Sequence, residues 1–239
     1  MAIAHIATQS AQANSSATCV TSAIDTTGAN LLIATITSNG GASGFTSFVD
    51  SKGNTWQTAV DWTANGGSTD FIRIMYSTPT SVGSGHTTTL TYGALGFFVT
   101  AFAAFSGMAA ASPLDKTATG TGSSTSLLTS ATATTAQAEE LLIGTGTVSD
   151  GANSTFTAGA SYTIPANGQQ GNASIGTIGF LEYRIVAATS TYTASATWGG
   201  GSGAWVAAIA TFKGAGGGGG GLFVNPFTGR GGSAARPLV

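Results

Sequence analysis

The sequence predicts an all-β protein: an antiparallel β-sandwich of jelly-roll or immunoglobulin-like type, built from an internal duplication and ending in a Gly-rich C-terminal arm. Three observations predict it. Two copies of one pattern lie about 105 to 110 residues apart in the 239-residue chain. Short β-branched or aromatic runs, bounded by Gly, Asn, Asp and Ser clusters, recur at the spacing of strands. No stretch carries the 3.6-residue apolar period of a helix.

The repeat is read from matched residues. Ser15, Ser16, Thr21, Ser22 and Ala23 return as Ser123, Ser124, Thr129, Ser130 and Ala131, and the run Leu31–Thr37 returns as Leu141–Thr147. Tyr76 has its counterpart at Tyr183. The closing segments match without a gap, with Gly96, Val99, Ala101, Ala103, Phe105 and Gly107 answering to Gly203, Val206, Ala208, Ala210, Phe212 and Gly214. The expected organisation is a first sandwich repeat over residues 1–110, a second over 111–214, and a tail over 215–239.

In the first copy the strands expected are 17–24, 31–37, 46–50, 55–61, 70–77, 87–92 and 97–105. In the second they are 125–132, 141–148, 155–160, 175–186, 191–198 and 204–212. Segments 97–105 and 204–212 are apolar on both alternating faces, so both are expected to be covered on two sides. The stretch Val49 to Trp56 reads as a hairpin turning at Lys52-Gly53-Asn54. Whether the repeats stand as two sandwiches or merge as halves of one is left open by alternation alone.

Composition restricts function. Charged residues make up 7% of the chain and the formal net charge is -2, so the surface must be covered by Thr, Ser, Gly and Ala. Low net charge favours association. The seven basic residues are scattered, which argues against nucleic acid. Cys19 is the sole cysteine and falls opposite Leu127 in the repeat, an apolar position, so it reads as a small buried hydrophobe. The N-terminus lacks the basic start and apolar core of a secretory signal. The uncharged stretch Gly93 to Ser112 has the hydropathy of a membrane span, but its second copy is interrupted by Lys213, so no membrane insertion is expected.

No reactive constellation stands out. Glu139 and Glu140 open a strand, where successive side chains point to opposite faces, and read as a solvated pair; Asp25, Asp61, Asp70, Asp115, Asp150 and Glu182 are scattered. A nucleophilic triad needs a histidine, and only His5 and His86 exist. Asp50 and Asn54 offer calcium too few carboxylates, two distant histidines and one buried cysteine do not make a zinc site, and no cofactor is implied. Among the aromatic residues Trp62, beside Asp61, is the best candidate for stacking on a glycan ring, whereas Trp198 and Trp205 match Tyr92 and Phe98 across the repeat and read as core.

From Gly214 a glycine tract leads to Leu222, Phe223, Val224, Asn225, Pro226 and Phe227, an apolar hexapeptide on a tether. It is expected to dock on a partner by strand addition or by placing Phe223 and Phe227 in pockets.

The duplicated Leu-Leu-Ile strands, the run Asp50-Ser51-Lys52-Gly53-Asn54-Thr55-Trp56 and the link Phe105-Ser106-Gly107 to Ser112-Pro113-Leu114-Asp115 make the first 214 residues resemble Thr/Gly-rich β-sandwich proteins of tailed-phage virions and bacterial surfaces. That resemblance implies a virion or extracellular location, a structural role and no catalytic residues to carry over. Together these readings lead to the expectation of a non-enzymatic virion subunit, a decoration, fibre or tail component. Its partners would be copies of itself or other virion proteins. The alternative is a carbohydrate-binding or adhesive surface module.

Overall fold

A computed structural model describes residues 1–38, 44–63, 70–149, 155–172 and 177–216; the candidate docking residues Leu222, Phe223, Val224, Pro226 and Phe227 lie outside the described residues. The described chain is all-β, with antiparallel pairing throughout and no α-helix. Its fifteen strands are β1 (Ala4–Val20), β2 (Leu31–Ser38), β3 (Phe45–Asp50), β4 (Gln57–Thr63), β5 (Phe71–Ser77), β6 (Thr88–Ser106), β7 (Leu114–Ser124), β8 (Ser126–Leu128), β9 (Glu139–Ser149), β10 (Phe156–Ala158), β11 (Gln169–Asn172), β12 (Thr177–Phe180), β13 (Glu182–Ala187), β14 (Ser195–Trp198) and β15 (Gly203–Lys213).

The first half makes one curled six-stranded sheet in the order β1-β6-β2-β5-β4, with β3 paired to the first part of β6. The second half makes a four-stranded sheet, β13-β9-β15-β7, a three-stranded sheet, β10-β14-β8, and the pair β11-β12. Registers run in parallel between the halves. Leu31 faces Phe105 and Ile33 faces Ala103 in the first sheet, while Leu141 faces Phe212 and Ile143 faces Ala210 in the second. Ile33 also faces Tyr76, as Ile143 faces Tyr183. At the far end Cys19 faces Leu90, as Leu127 faces Ala196.

The core lies between the halves. Leu31, Ile33 and Phe105 from the first sheet form one apolar cluster with Leu141, Val206 and Phe212 from the second, all 0% exposed. Two edge-to-face contacts cross the interface reciprocally: Tyr76 on Phe212 at 5.4 Å, and Phe105 on Tyr183 at 5.5 Å. The antiparallel β11-β12 pair enters at one end, where the Phe180 carbonyl accepts the hydroxyls of both Thr35 (3.4 Å) and Thr145 (2.6 Å). Gly179 has no Cβ for a packing reason, because one would stand 2.2 Å from Thr37 Oγ1. As expected, the later part of β6, residues 98–105, and residues 205–212 of β15 are covered on both faces.

Several sequence expectations are corrected. Segments 87–92 and 97–105 are one strand, and 175–186 is two, broken at Leu181. β1 begins far earlier than residue 17, and β7 and β11 had no counterpart in the reading. Their Thr, Ser, Gly, Gln and Ala side chains lack apolar alternation, so the ladder with a buried neighbour is what makes them strands. The stretch Val49 to Trp56 is not a hairpin, since β3 pairs with β6 and β4 with β5. The turn itself is present: Gly53 adopts φ +74° and its N–H reaches the Asp50 carbonyl at 3.2 Å.

Candidate functional site

Three buried polar clusters and one surface aromatic hold whatever chemistry the described residues offer. The first sits where β3 ends. Asp50 Oδ1 accepts the Lys52 N–H (2.8 Å), the Asn54 N–H (3.3 Å) and Asn54 Nδ2 (3.3 Å), while Oδ2 accepts Trp56 Nε1 at 2.7 Å. His86 Nε2 lies 3.2 Å from the same Oδ1, and His86 Nδ1 lies 2.9 Å from Thr26 Oγ1.

This Asp50–His86–Thr26 chain has the residue types of an acid, a base and a hydroxyl nucleophile. Sequence reading missed it because the three residues come from separate segments. Its surroundings give it another task. Thr26 and His86 are 0% exposed, and the Thr26 hydroxyl is held by both the N–H (3.0 Å) and the carbonyl (3.2 Å) of Gly83. Burial lowers the His86 pKa, against an opposing pull from Asp50, which favours the neutral ring. The cluster therefore ties three loops together and presents no reacting atom to solvent. Asp50 and Asn54 spend their groups on this network, so the loop holds no calcium cage.

The second cluster corrects the reading of Glu139 and Glu140 as a solvated pair: Glu140 is 0% exposed. Its carboxyl stands beside Asp115 and the Thr211 hydroxyl, and neither oxygen has a hydrogen bond of good geometry. Burial first, then the neighbouring Asp115 charge, push Glu140 up to about 7. Burial also opposes ionisation of Asp115, but the Ala136 N–H (2.6 Å) and Lys116 Nζ (2.9 Å) outweigh it and hold its pKa below the usual carboxylate value. The third cluster is Glu182, also 0% exposed, whose Oε2 accepts the Gly159 N–H at 3.1 Å. The Ser195 N–H supports it too, yet burial dominates and raises its pKa to about 8. Space for this side chain exists because residue 144 is Gly; a Cβ there would lie 2.7 Å from Glu182 Oε1.

Trp62 lies on the edge strand β4, half-buried, with its ring against the core shared by the two sheets and its indole N–H buried without a partner. The neighbouring Asp61 is engaged with Arg73, whose guanidinium lies 3.8 Å from the Phe45 ring centre. Trp198 and Trp205 are buried, in keeping with their expected core role. Cys19 is likewise buried, and burial pushes its thiol up to about 12, far from a reactive thiolate. Among the described residues no three His, Cys, Asp or Glu side chains converge to hold a metal, and no helix is long and apolar enough to cross a membrane. A half-open cavity of about 120 Å³ is lined by Thr155, Gln169, Gln170, Gly171 and Ile178, but the Gln169 amide is occupied by the Phe156 backbone.

Comparison with protein-family models, with curated proteins and with solved structures gives no match to this chain.

Proposed function

We propose that this chain is a non-enzymatic structural subunit of a phage virion, a decoration, fibre or tail component that assembles through its sheet surfaces and its C-terminal arm. The observation that carries the reading is the outward face of the curled sheet. Val49, Thr89 and Val20 stand in one row across β3, β6 and β1, and Ser47, Thr91 and Thr18 in another. Val20 is 56% and Val49 52% exposed, and none of the six side chains is charged.

The three-stranded sheet repeats the motif with Thr157, Thr197 and Ser126 in a row, and Leu128, 52% exposed, beside Ser195. Flat faces of short methyl and hydroxyl groups bury apolar area on a partner without desolvating a charge, so association costs little there. Edge strand β4 adds backbone groups for strand pairing, and Leu222 to Phe227 supply a tethered apolar segment. The matched registers and the reciprocal Tyr76–Phe212 and Phe105–Tyr183 contacts further favour descent from a duplicated unit, its copies merged as halves of one sandwich.

The test is self-association. Sedimentation velocity across a concentration series is expected to show oligomers that Val20→Lys with Val49→Lys disperses, and removal of residues 215–239 is expected to weaken incorporation into a particle. A chain that stays monomeric at high concentration, or incorporates equally well without its tail, overturns the reading.

A further inference from the structure

Residues in matching register differ between the halves at two buried positions. Where β2 pairs with β5, Ala34 faces Met75; where β9 pairs with β13, Gly144 faces Glu182. Where Asn30 precedes Leu31, Glu140 precedes Leu141. Asn30 is fully matched, its Nδ2 donating to the Met108 carbonyl (2.7 Å) and its Oδ1 accepting the Met108 N–H (3.1 Å). Glu140 has no such partners, and Glu182 Oε1 has none either.

We propose that the second half of this chain is a pH-responsive element: as the solution becomes alkaline, Glu182 and Glu140 ionise inside it and the four-stranded sheet loosens from its neighbours while the first-half sheet stays closed. The geometry gives each carboxyl a seam to open. Glu182 projects from β13 but is bonded outside its own sheet, to Gly159 after β10 and to Ser195 on β14, so it joins the four-stranded sheet to the three-stranded one. Glu140 sits against Asp115, whose Oδ2 holds the Ala136 N–H and so fastens the segment before β9. A neutral acid is tolerated at either place. A carboxylate is not, because the Gly159 and Ser195 N–H groups on Glu182, and the Thr211 hydroxyl and Gln137 N–H near Glu140, do not offset the burial of an ion, which costs far more than a buried dipole.

The surrounding charges do not rescue the ionised forms. Facing Glu182 is Tyr162 from the loop after β10, which burial holds as a neutral phenol and which itself neighbours Arg184 and Tyr192. Arg184 lies over the Tyr192 ring, 5.7 Å from its centre. Facing Glu140 are Asp115, which repels it, Lys116, which is bonded to Asp115 at 2.9 Å, and Lys213, its register partner on β15. Both folded-state pKa values are raised above the ordinary 4.5, to about 8 for Glu182 and about 7 for Glu140, so the sign is fixed. Stability is full below the ordinary value and is lost as pH rises through 7 and 8.

Tryptophans distinguish the halves: Trp56 packs on the first-half clusters and Trp198 and Trp205 on the second-half cluster, while Trp62 lies against the shared core. The full chain labelled with fluorotryptophan is titrated from about pH 5 to about pH 9 by fluorine NMR, alongside denaturant unfolding at the same pH values. The expected result is that Trp198 and Trp205 signals shift or broaden above neutrality while Trp56 holds. The unfolding equilibrium constant should rise about ten-fold or more between slightly acid and alkaline solution. Glu182→Met, which installs the first-half residue, combined with Glu140→Gln, should flatten both profiles. Should that variant not fold, Glu182→Gln, which keeps an acceptor oxygen, reads the same profile. A uniform response of all four tryptophans, or an alkaline loss that persists in the variants, overturns the proposal. The outcome is independent of whether the chain assembles.

Discussion

The two halves carry matching registers yet finish differently, and the difference lies in continuity. In the first half β6 runs unbroken through 19 residues and β1 through 17, so one curled sheet serves both the inter-sheet core and the outer cluster of Cys19, Leu90 and Tyr92. In the second half the same course is cut between Ser124 and Ser126 and again between Trp198 and Gly203, giving two sheets in place of one. Even the bend is shared. Ser16 Oγ bonds the Thr18 backbone, and Ser124 Oγ bonds the Ser126 backbone. The first half absorbs this bend as bulges, with Ser15 at φ 50°, while the second breaks. The break is bridged by a buried carboxyl, Glu182, where the continuous half needs only Met75.

This comparison is open to direct attack. The largest expected effect comes from the residues on which the halves meet. Phe105→Ala and Phe212→Ala should each cost about 3–5 kcal/mol, and each should unfold both halves in a single denaturant transition. Separate transitions for the Trp56 and the Trp198/Trp205 signals would show that the shared core does not couple them.

Next is the lock that, among the described residues, belongs to the first half alone. Asp50→Ala strips the acceptor from four donor groups and the partner from His86. It should cost about 3 kcal/mol and broaden the Trp56 signal in the folded protein while Trp198 is unchanged. An effect below ~1 kcal/mol would mean that the donors find water instead. The smallest effect sharpens the asymmetry at the β11-β12 pair. Thr145→Val should cost about 1 kcal/mol and Thr35→Val less, since the Thr145 bond to Phe180 is 2.6 Å and the Thr35 bond 3.4 Å. Equal losses in chemical denaturation would show that the two hydroxyls share the carbonyl evenly.

Strands that carry their own apolar content were legible: Leu31–Ser38, Phe71–Ser77 and Gly203–Lys213 lie within one or two residues of where alternation placed them. β1 and β7 were not, because Thr8, Ser10 and Gly120 become strand residues only by pairing with Ala103, Ala101 and Ala207. The candidate sites were less legible still. His86 reads as a turn residue and Thr26 as a loop residue, and nothing local announces that Asp50 joins them. Glu140 reads as solvated because it matches Asn30 at the entry to a strand, whereas adjacent strand residues face opposite ways and only Glu139 reaches the surface.

By itself the sequence determined an all-β chain, the two sets of matching strand positions, the two-sided burial of the closing segments 98–105 and 205–212, and the apolar setting of Cys19, because these depend on side-chain pattern along a short stretch. Tertiary structure decided that the Leu31 and Leu141 strands share one core, that β12 turns inward to Thr35 and Thr145, and that Glu140 and Glu182 are sealed from water. Those outcomes depend on which distant surfaces meet, and burial is a property of the meeting and not of the residue.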